Sequence, residues 1–422
     1  MSWNAETLGM LLMAALLPLA GCGAEEGDDD DETVSDVGLG DDDTASGDDD
    51  TQEGDDDASS GGDDDDTNDS TPQVYPNCSA VTGDAGGVEI GLDRGETLIE
   101  NRLNLNTYSV TWDIEILPEG STVWESFMGR LYRSSSAGCV FGRISNLPAD
   151  TFKEITLNPE HPDRLFLSAD SSADLIHTSD GGTTWELDTL QGGGALAFAI
   201  DPADVEKLFY VGSDGRLYTS SNDGATWSSK VIDVPEDTEV INAAFHPEDP
   251  RTVIVGTDKY AWYRTTDGGD DWEALHTNLY GQGETSGSPE LESVHIAFSA
   301  ASSDIVYGVL NRTTGGGELY RSDDGGSSWN EISRETSAGT DLQISTQTRV
   351  YPDPVSPDRF LFWYGSYYRE YGTDLYICEY EDGGCDLTLH HYDFFDMYAM
   401  AFHPLDPSIL YLGRVNDSVE PL

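Results

Sequence analysis

The stretch LYRSDDGGSSW, residues 319–329, decides the fold. Its Ser322, Asp324, Gly326 and Trp329 stand at offsets of 0, 2, 4 and 7, and the chain repeats this spacing. Three further copies match it fully or with Asn in place of Asp: Thr178, Asp180, Gly182 and Trp185; Ser220, Asn222, Gly224 and Trp227; Thr265, Asp267, Gly269 and Trp272. Glycine can adopt the positive φ of a tight hairpin, Asp or Asn can accept N–H bonds across the turn, and Trp can cover the turn. The motif therefore predicts a structural hairpin clamp.

Two weaker copies extend the series. LYRSSSAGCVF carries Ser134, Ser136, Gly138 and Phe141, and LYICEYEDGGCDL at 375–387 keeps Asp-Gly-Gly but lacks the Trp. From Phe141 to Trp329 the aromatic residues are spaced by 44, 42, 45 and 57 residues. A period of about 40 to 50 residues with several short strands is typical of a β-propeller blade.

Each copy is preceded by two apolar strands and a proline turn. Examples are ITLNPEHPD at 155–163 followed by LFLSA at 165–169, and AAFHPEDP at 243–250 followed by TVIVG at 252–256. With the strand entering the motif and the strand leaving it, each repeat has four strands separated by turns. We predict an all-β chain whose residues 76–422 form a β-propeller.

The two ends of the repeat region are incomplete. Residues 397–415 repeat only the first two strands of a blade, and residues 88–105 contain two or three further strands around Asp93, Arg94 and Gly95. A seventh blade built from both termini would remove exposed sheet edges. A six-bladed ring with an extra hairpin is the alternative.

The pattern S/T-x-D-x-G-x-x-W resembles the Asp-box of the bacterial-neuraminidase-type (BNR) repeat. This repeat occurs in sialidases, xyloglucan-cleaving glycoside hydrolases, sortilin-type receptor ectodomains and a photosystem II assembly factor. The LYRS-DGG-W form with an upstream HPxDP turn is most similar to the sortilin-like and xyloglucanase-like branch. The resemblance covers residues 110–415. It implies the fold, with Asp-boxes on blade edges away from any catalytic residues.

The N-terminus indicates export. An apolar run, Leu8 to Ala20, is too short to span a bilayer and ends in Leu19-Ala20-Gly21-Cys22. These four residues resemble the lipobox of bacterial lipoproteins, which implies a signal peptide at 1–22, lipid on Cys22 and a membrane anchor. Gly23 then favours the outer membrane or cell surface. An ordinary cleaved signal is the alternative, and the seven residues before the run lack a basic residue.

An acidic segment follows at 23–75. Residues 24–72 hold 23 Asp or Glu and no Lys or Arg, so we predict a disordered tether spanning roughly 40 Å. Calcium binding by its Asp-rich repeats is the alternative, but none matches an EF-hand loop. Without this segment and Glu6, residues 73–422 still carry a formal charge of −37. We therefore expect no nucleic-acid partner, because its phosphates would be repelled.

Four cysteines follow Cys22, and they allow three pairings. We favour Cys378 with Cys385. These two residues flank the hairpin of the copy at 375–387, here called the sixth hairpin, and a disulfide there would replace its missing Trp. Cys78 with Cys139 would then fasten the N-terminal segment to the first repeat. Disulfides fit an exported protein.

No catalytic set is recognisable. The nearest match to the Arg-Ile-Pro signature of sialidases is Arg143-Ile144-Ser145, which lacks the Pro. Xyloglucanases of this type need two facing propellers, and this chain has one. His246 and His403 occupy the same turn position in two repeats and are interpreted as structural, while His390 and His391 are isolated candidates. No HExxH metal motif is present, and we expect neither a metal nor a cofactor.

One aromatic stretch, FLFWYGSYYREY at 360–371, offers a candidate binding platform. The residues are Trp363, Tyr364, Tyr367 and Tyr368, and the alternative is that this is a buried strand. The leading hypothesis is a non-catalytic surface lipoprotein that binds a protein or a glycan. The alternative is a glycoside hydrolase of the same repeat superfamily. Either way, functional residues are expected in the turns and loops around the centre of the ring.

Overall fold

A computed structural model describes residues 75–83, 87–101, 109–158, 160–259, 262–275, 291–312, 316–334, 344, 348–366, 372–394 and 396–416. They belong to one compact unit, Asn68–Leu422. The described residues form strands and turns, with a single short 3-10 segment at Asp93–Gly95 and no α-helix. The predicted all-β fold is confirmed.

The strands follow one another in sets of four. Three short strands come first: β1 (Thr82–Gly83), β2 (Val88–Leu92) and β3 (Thr97–Ile99). The sets then run in chain order: β4 (Ser109–Ile116), β5 (Val123–Phe127), β6 (Arg130–Ser134) and β7 (Val140–Arg143); β8 (Glu154–Leu157), β9 (Leu165–Ala169), β10 (Ser172–Thr178) and β11 (Glu186–Thr189); β12 (Ala195–Ile200), β13 (Leu208–Gly212), β14 (Arg216–Ser220) and β15 (Ser228–Val231); β16 (Val240–Phe245), β17 (Val253–Thr257), β18 (Trp262–Thr265) and β19 (Glu273–Leu275); β20 (Leu291–Phe298), β21 (Val306–Arg312), β22 (Gly316–Ser322) and β23 (Asn330–Arg334); β24 (Tyr351–Pro352), β25 (Arg359–Ser366), β26 (Gly372–Glu381) and β27 (Gly384–Tyr392). The last two strands are β28 (Asp396–His403) and β29 (Asp406–Asn416).

Strand pairing joins the two ends of the chain. In the described residues, five sets form separate antiparallel sheets of four strands. The C-terminal strands β28 and β29 pair with the N-terminal strands in the order β28-β29-β2-β3, as closure by both termini requires. Because β29 also pairs with β4, and β1 runs parallel to β7, this group merges with the first set into a nine-stranded sheet. The count of seven blades rather than six stays a prediction.

Burial within a set follows strand position. The second strands, LFLSA in β9, LFYVG in β13 and VIVGT in β17, are buried at every residue. The outermost strands β11 and β15 are exposed at every residue. Continuous apolar runs are expected where both faces of a strand are covered. The core therefore lies between neighbouring sheets, as where Phe166 and Leu175 of one set pack with Phe198 and Leu208 of the next.

Both predicted disulfides are present. Cys378 and Cys385 join β26 to β27 across their hairpin with a Cα separation of 5.2 Å. Cys78 and Cys139 join the N-terminal segment to the end of the first set with a Cα separation of 5.9 Å. Such bonds are typical of proteins outside the reducing cytoplasm.

The repeated motif forms a hydrogen-bonded hairpin. Thr178 Oγ1 donates to Asp180 Oδ1 at 2.8 Å and accepts the N–H of Gly182 at 3.1 Å. Asp180 Oδ1 also accepts the N–H of Thr184 at 2.8 Å, and Trp185 Nε1 donates to the carbonyl of Gly182. Bonds from the Thr184 and Thr178 hydroxyls and the Thr184 N–H lower the pKa of Asp180 to about 2. Gly182 has φ +86°, which glycine tolerates without strain.

The other copies repeat this geometry. Ser322 and Asp324 hold Gly326 and Ser328 in the same way. Asn222 replaces Asp through its Oδ1, which accepts the N–H of Thr226 at 2.9 Å. In the degenerate first copy, Ser136 Oγ accepts the N–H of Val140 at 3.0 Å. All of these bonds stabilise the turn itself.

Candidate functional site

A cavity of about 870 Å³ lies where the first strands of the sets meet. Residues of β4, β8, β12, β16, β20, β24 and β28 line it, together with Thr348 and Arg349 just before β24. Since the innermost strand of every set contributes, this cavity is the central channel of the propeller.

Side chains in the channel wall connect neighbouring inner strands. Asp113 Oδ2 on β4 accepts the N–H of Ile155 on β8 at 2.8 Å. Asn242 Oδ1 on β16 accepts the N–H of Ile296 on β20 at 3.2 Å. His295 Nδ1 on β20 accepts the N–H of Val350 at 3.2 Å. Asp113, Asn242 and His295 occupy equivalent positions on their strands, and each accepts the N–H of the residue that follows the equivalent position next to it. Ile155 directly follows Glu154, and Val350 directly follows Arg349. Glu154 and Arg349 therefore stand at the same level of the wall.

Ionisable groups concentrate at this level. The Arg349 guanidinium lies 4.3 Å from the ring centroid of Tyr398. Burial raises the pKa of Glu154 to about 7 and that of Asp113 to about 6, and the charge of Arg349 partly opposes both shifts. Burial and the neighbouring Asp113 raise the pKa of Glu115 well above its usual value. The channel therefore holds several carboxylates that favour a proton or a cation.

His295 behaves differently. Burial, followed by repulsion from Arg349, lowers its pKa to about 3, so the ring is neutral at ordinary pH. Its Nδ1 accepts a backbone N–H, which leaves the proton on Nε2. His295 thus supplies structure and a hydrogen-bond donor, but no positive charge.

Aromatic rings and a second cation extend this wall. Lys153 Nζ bonds Asp170 Oδ1 at 2.7 Å and lies 5.2 Å from the ring centroid of Trp112. Trp112 meets Tyr398 edge-on with centroids 4.8 Å apart. Cations already lie over these aromatic faces, as is common for Arg and Lys.

A second cavity, of about 460 Å³, adjoins the channel and shares Leu157, Ala197 and Phe198 with it. Its remaining lining is mainly apolar and comes from the ends of β12 and β16 and from the proline turns, including Phe245 and Pro247. The proline-turn end of the channel therefore opens into an apolar vestibule.

The first residue of each proline turn caps that turn. Asn158 Oδ1 accepts the N–H groups of Glu160 and His161. His246 Nδ1 accepts those of Glu248 and Asp249, both at 3.2 Å. At the same position, His403 Nδ1 accepts the N–H of Leu405 at 3.3 Å. His246 and His403 therefore do the work of an Asx cap.

Other sequence candidates lie away from the channel. Arg143 is exposed at the end of β7, the outer strand of its set. His390 and His391 are on β27 beside a separate polar cavity of about 430 Å³, and His391 Nδ1 contacts Asp374 Oδ1 at 2.7 Å. Across the described residues no group of three or more His, Cys, Asp or Glu is placed to hold a metal.

The proposed aromatic platform needs correction. Trp363 is 0% exposed and packs against Tyr351, so it cannot offer a face to a ligand. Phe360 and Phe362 are also fully buried, and Tyr364 packs against the same core. This segment is the central strand β25, which is covered on both faces. Tyr367 and Tyr368, like Cys22, lie outside the described residues.

Sequence reasoning missed the channel residues Asp113, Glu115, Glu154 and Arg349. Their only signal was position, since each stands on or just before the strand that leads into its proline turn. Among 81 acidic residues, this signal could not select the three carboxylates.

A curated relative accounts for most of the chain. The dispase autolysis-inducing protein of Streptomyces mobaraensis is 30% identical over 348 residues, which cover 80% of this chain and 88% of the relative. The chain belongs to that protein's family. A sequence model described as "Sortilin, neurotensin receptor 3" also matches residues 173–296.

Solved structures support the fold of this family member. A GH74 enzyme of Niastella koreensis aligns over 78% of the chain with a TM-score of 0.56 and 16% identity. The chain spans about half of that enzyme, 53% of its length. A structure of YCF48 bound to D1 peptide aligns over 81% of this chain and 100% of the YCF48 chain, with a TM-score of 0.52 and 14% identity. At these identities the likeness concerns the β-propeller fold alone. In the described part of the chain, no helix has the length and hydropathy needed to span a membrane.

Proposed function

We propose that this chain is an exported, non-catalytic β-propeller that binds a peptidase and promotes the autolysis of that peptidase. The observation that carries the proposal is the 30% identity to a protein named for inducing dispase autolysis, across 80% of this chain. Autolysis is self-cleavage, so an inducer acts by binding the peptidase or the segment that is cleaved. The alignment is long enough to include most of the propeller.

Among the cavities described, the channel has the combination of groups best suited to binding such a partner. Propellers commonly use their central opening for ligands, and here it combines charged groups, aromatic rings and an adjoining apolar vestibule. The strongly negative charge of residues 73–422 favours association with a positively charged surface.

Dispase itself provides the test. The full chain is added to dispase at increasing concentrations, and the loss of intact dispase is followed by gel electrophoresis. We expect the loss to accelerate and then saturate with the amount of chain, while heat-unfolded chain has no effect. An unchanged rate at saturating concentration would contradict the proposal.

A parallel sample contains dispase blocked by an active-site inhibitor. We expect no fragments there, because the cleavage belongs to dispase. Fragments of the blocked enzyme would mean that this chain is itself a peptidase, which the proposal excludes.

A second candidate, glycoside hydrolysis, is favoured by one observation. Asp113, Glu115 and Glu154 share one channel, and their raised pKa values suit a carboxylic acid that donates a proton. The test is release of reducing ends from xyloglucan, β-glucan and sialosides. Turnover that disappears in Glu154→Gln, but not in Glu186→Gln on the exposed strand β11, would establish this candidate over the first.

We also propose that the domain is held at the cell envelope by lipid on Cys22. The apolar run and the Leu-Ala-Gly-Cys sequence support this, and the two disulfides fit an oxidising compartment. In a bacterial expression host fed labelled palmitate, the full chain should become labelled and sediment with membranes. Cys22→Ser should abolish both, and an unlabelled full chain would refute the anchor.

A further inference from the structure

We propose that the channel and its vestibule bind one extended peptide segment of the partner, with an arginine or lysine side chain beside Glu115 and Glu154 and a backbone carbonyl on Asn158. This inference rests on the proposed function, because it specifies the chemistry by which the partner would be recognised. Its two contacts come from separate features of the structure.

The first feature is an imbalance of charge in the channel wall. Asp113, Glu115, Glu154 and Asp170 contribute four carboxylates, and Asp170 is paired with Lys153. Asp113 is engaged by two backbone N–H groups. In the part of the chain that the structure describes, Glu115 and Glu154 accept no hydrogen bond and form no ion pair, and the charges of Arg349 and, less strongly, Lys153 oppose the pKa shift of Glu154. A desolvated carboxylate is stabilised by a cation with N–H donors, which an arginine or lysine side chain supplies.

The channel also has room for such a side chain. On β12 and β16 the lining includes Ala197, Ala243 and the uncharged Asn242. Small residues on these strands leave space beside the charged wall of β4 and β8. The rings of Tyr351 and Tyr398 line the same cavity, and the Arg349 guanidinium already lies over Tyr398.

The second feature is the buried amide of Asn158. Its side chain is 3% exposed, and its Oδ1 is fixed by the N–H groups of Glu160 and His161 at 3.0 and 3.1 Å. The amide nitrogen Nδ2 therefore turns the other way, and no described residue accepts its hydrogen bonds. A buried N–H donor without an acceptor is unfavourable.

Asn158 lines the vestibule, which joins the channel through Leu157, Ala197 and Phe198. A carbonyl oxygen from an extended backbone in the vestibule would satisfy Nδ2 once the Asn158 side chain or a neighbouring residue moves to uncover it, because Nδ2 itself is buried. The apolar lining of Ile200, Phe245 and Pro247 would exclude water around that bond. A peptide can supply both the carbonyl and, one or two residues away, the cationic side chain.

The direct test is binding of dye-labelled pentapeptides to the full chain, followed by fluorescence anisotropy. The probe has a central arginine between alanines, and the matched peptides carry citrulline or glutamate instead. We expect the arginine peptide to bind about tenfold or more tightly than the citrulline peptide, because a charge-assisted contact is lost. Equal binding of arginine and citrulline peptides, or tighter binding of the glutamate peptide, would overturn the charge assignment.

Three variants locate the contacts. Glu154→Gln should weaken the arginine peptide about tenfold without affecting the citrulline peptide. Glu186→Gln makes the same chemical change on β11 of the same set, outside the channel, and should leave binding unchanged. If both variants bind like the original chain, the site is not in the channel.

Asn158→Asp tests the carbonyl contact. Asp201 and Asp353 cap equivalent turns through Oδ1, so aspartate at 158 keeps the turn while removing the Nδ2 donor. Its negative charge by itself would strengthen binding of a cation. Weaker binding of both the arginine and the citrulline peptide is therefore expected from loss of the N–H donor, and equal or tighter binding would refute the contact.

The dispase assay separates this inference from the proposed function. If the peptides fail to bind but dispase autolysis still accelerates, only the channel assignment is wrong. If the arginine peptide binds and Glu154→Gln weakens it, but dispase stays intact, only the proposed function is wrong. Thermal unfolding of each variant identifies any that fail to fold.

Discussion

Glu125 Oε1 accepts the backbone N–H of Gly87 at 2.9 Å and the hydroxyl of Thr111 at 2.9 Å. Glu125 lies on β5 and is fully buried, whereas Gly87 precedes the N-terminal strand β2. On the same strand, Glu89 Oε1 pairs with Arg414 of the C-terminal strand at 2.8 Å. Buried carboxylates thus fasten the N-terminal strand to both the first set and the last strand of the chain.

These carboxylates make stability depend on pH. Burial raises the pKa of Glu125, and that of Glu89, to about 7. In the unfolded chain a glutamate titrates near its ordinary value, so between about pH 4.5 and 7 the folded state binds more protons. Stability should therefore fall as pH rises from 5 to 8, by up to ~3 kcal/mol for Glu125 alone.

Urea unfolding at pH 5 and pH 8 checks this prediction. Glu125→Gln should have a smaller difference between the two pH values, because the titrating group is gone. Glu186→Gln, exposed on β11, should keep the full difference. The prediction fails if stability is the same at both pH values or if Glu125→Gln leaves the difference unchanged.

The hairpin clamp should depend on the hydroxyl of its first residue. Thr178→Val removes the acceptor for the N–H of Gly182 while keeping the shape of the side chain, which is 3% exposed. We expect a loss of about 1 kcal/mol in the free energy of unfolding, since the partly buried N–H of Gly182 loses its acceptor. Thr178→Ser is the control, because Ser220 and Ser322 make the same bonds in other copies. If Thr178→Val has the same free energy of unfolding as the original chain, the bond contributes nothing to stability.

The sixth hairpin should depend on its disulfide. Changing Cys378 and Cys385 together to Ser opens a loop with a sequence separation of 7. The chain-entropy argument predicts a loss of about 2 kcal/mol. Urea unfolding with and without reductant measures it, and reductant should have a smaller effect on the variant than on the original chain. If the variant unfolds at the same urea concentration as the original chain, this hairpin does not need the bond.

The histidine turn caps should be replaceable by asparagine. His246→Ala removes the Nδ1 that accepts two N–H bonds, and we expect a loss of about 1 kcal/mol. His246→Asn should recover most of it, because Asn158 holds the equivalent turn through Oδ1. Thermal unfolding of the two variants decides the matter, and equal destabilisation by Ala and Asn would mean that the ring acts through packing instead.

The motif and the Cys378–Cys385 disulfide were predictable because their physics is local. Thr178, Asp180, Gly182 and Trp185 bond to one another within seven residues, so sequence spacing alone states the geometry. The same holds for Cys378 and Cys385, which lie diagonally across one hairpin. Trp363 shows where this reasoning ends. A run of aromatic residues has the same sequence pattern whether its strand is exposed or covered on both faces. Only the packing of β25 against its neighbours buries Trp363.

By itself, the sequence determined the all-β repeat, the four-strand unit and the structural role of the Asp-boxes, and it favoured the cysteine pairing that the structure shows. The tertiary structure decided which of many acidic residues face one another. Glu115, Glu154 and Arg349 meet because ring closure brings the first strand of each set to a common axis. The free energy that places them there comes from packing between whole sheets, which no short stretch of sequence records.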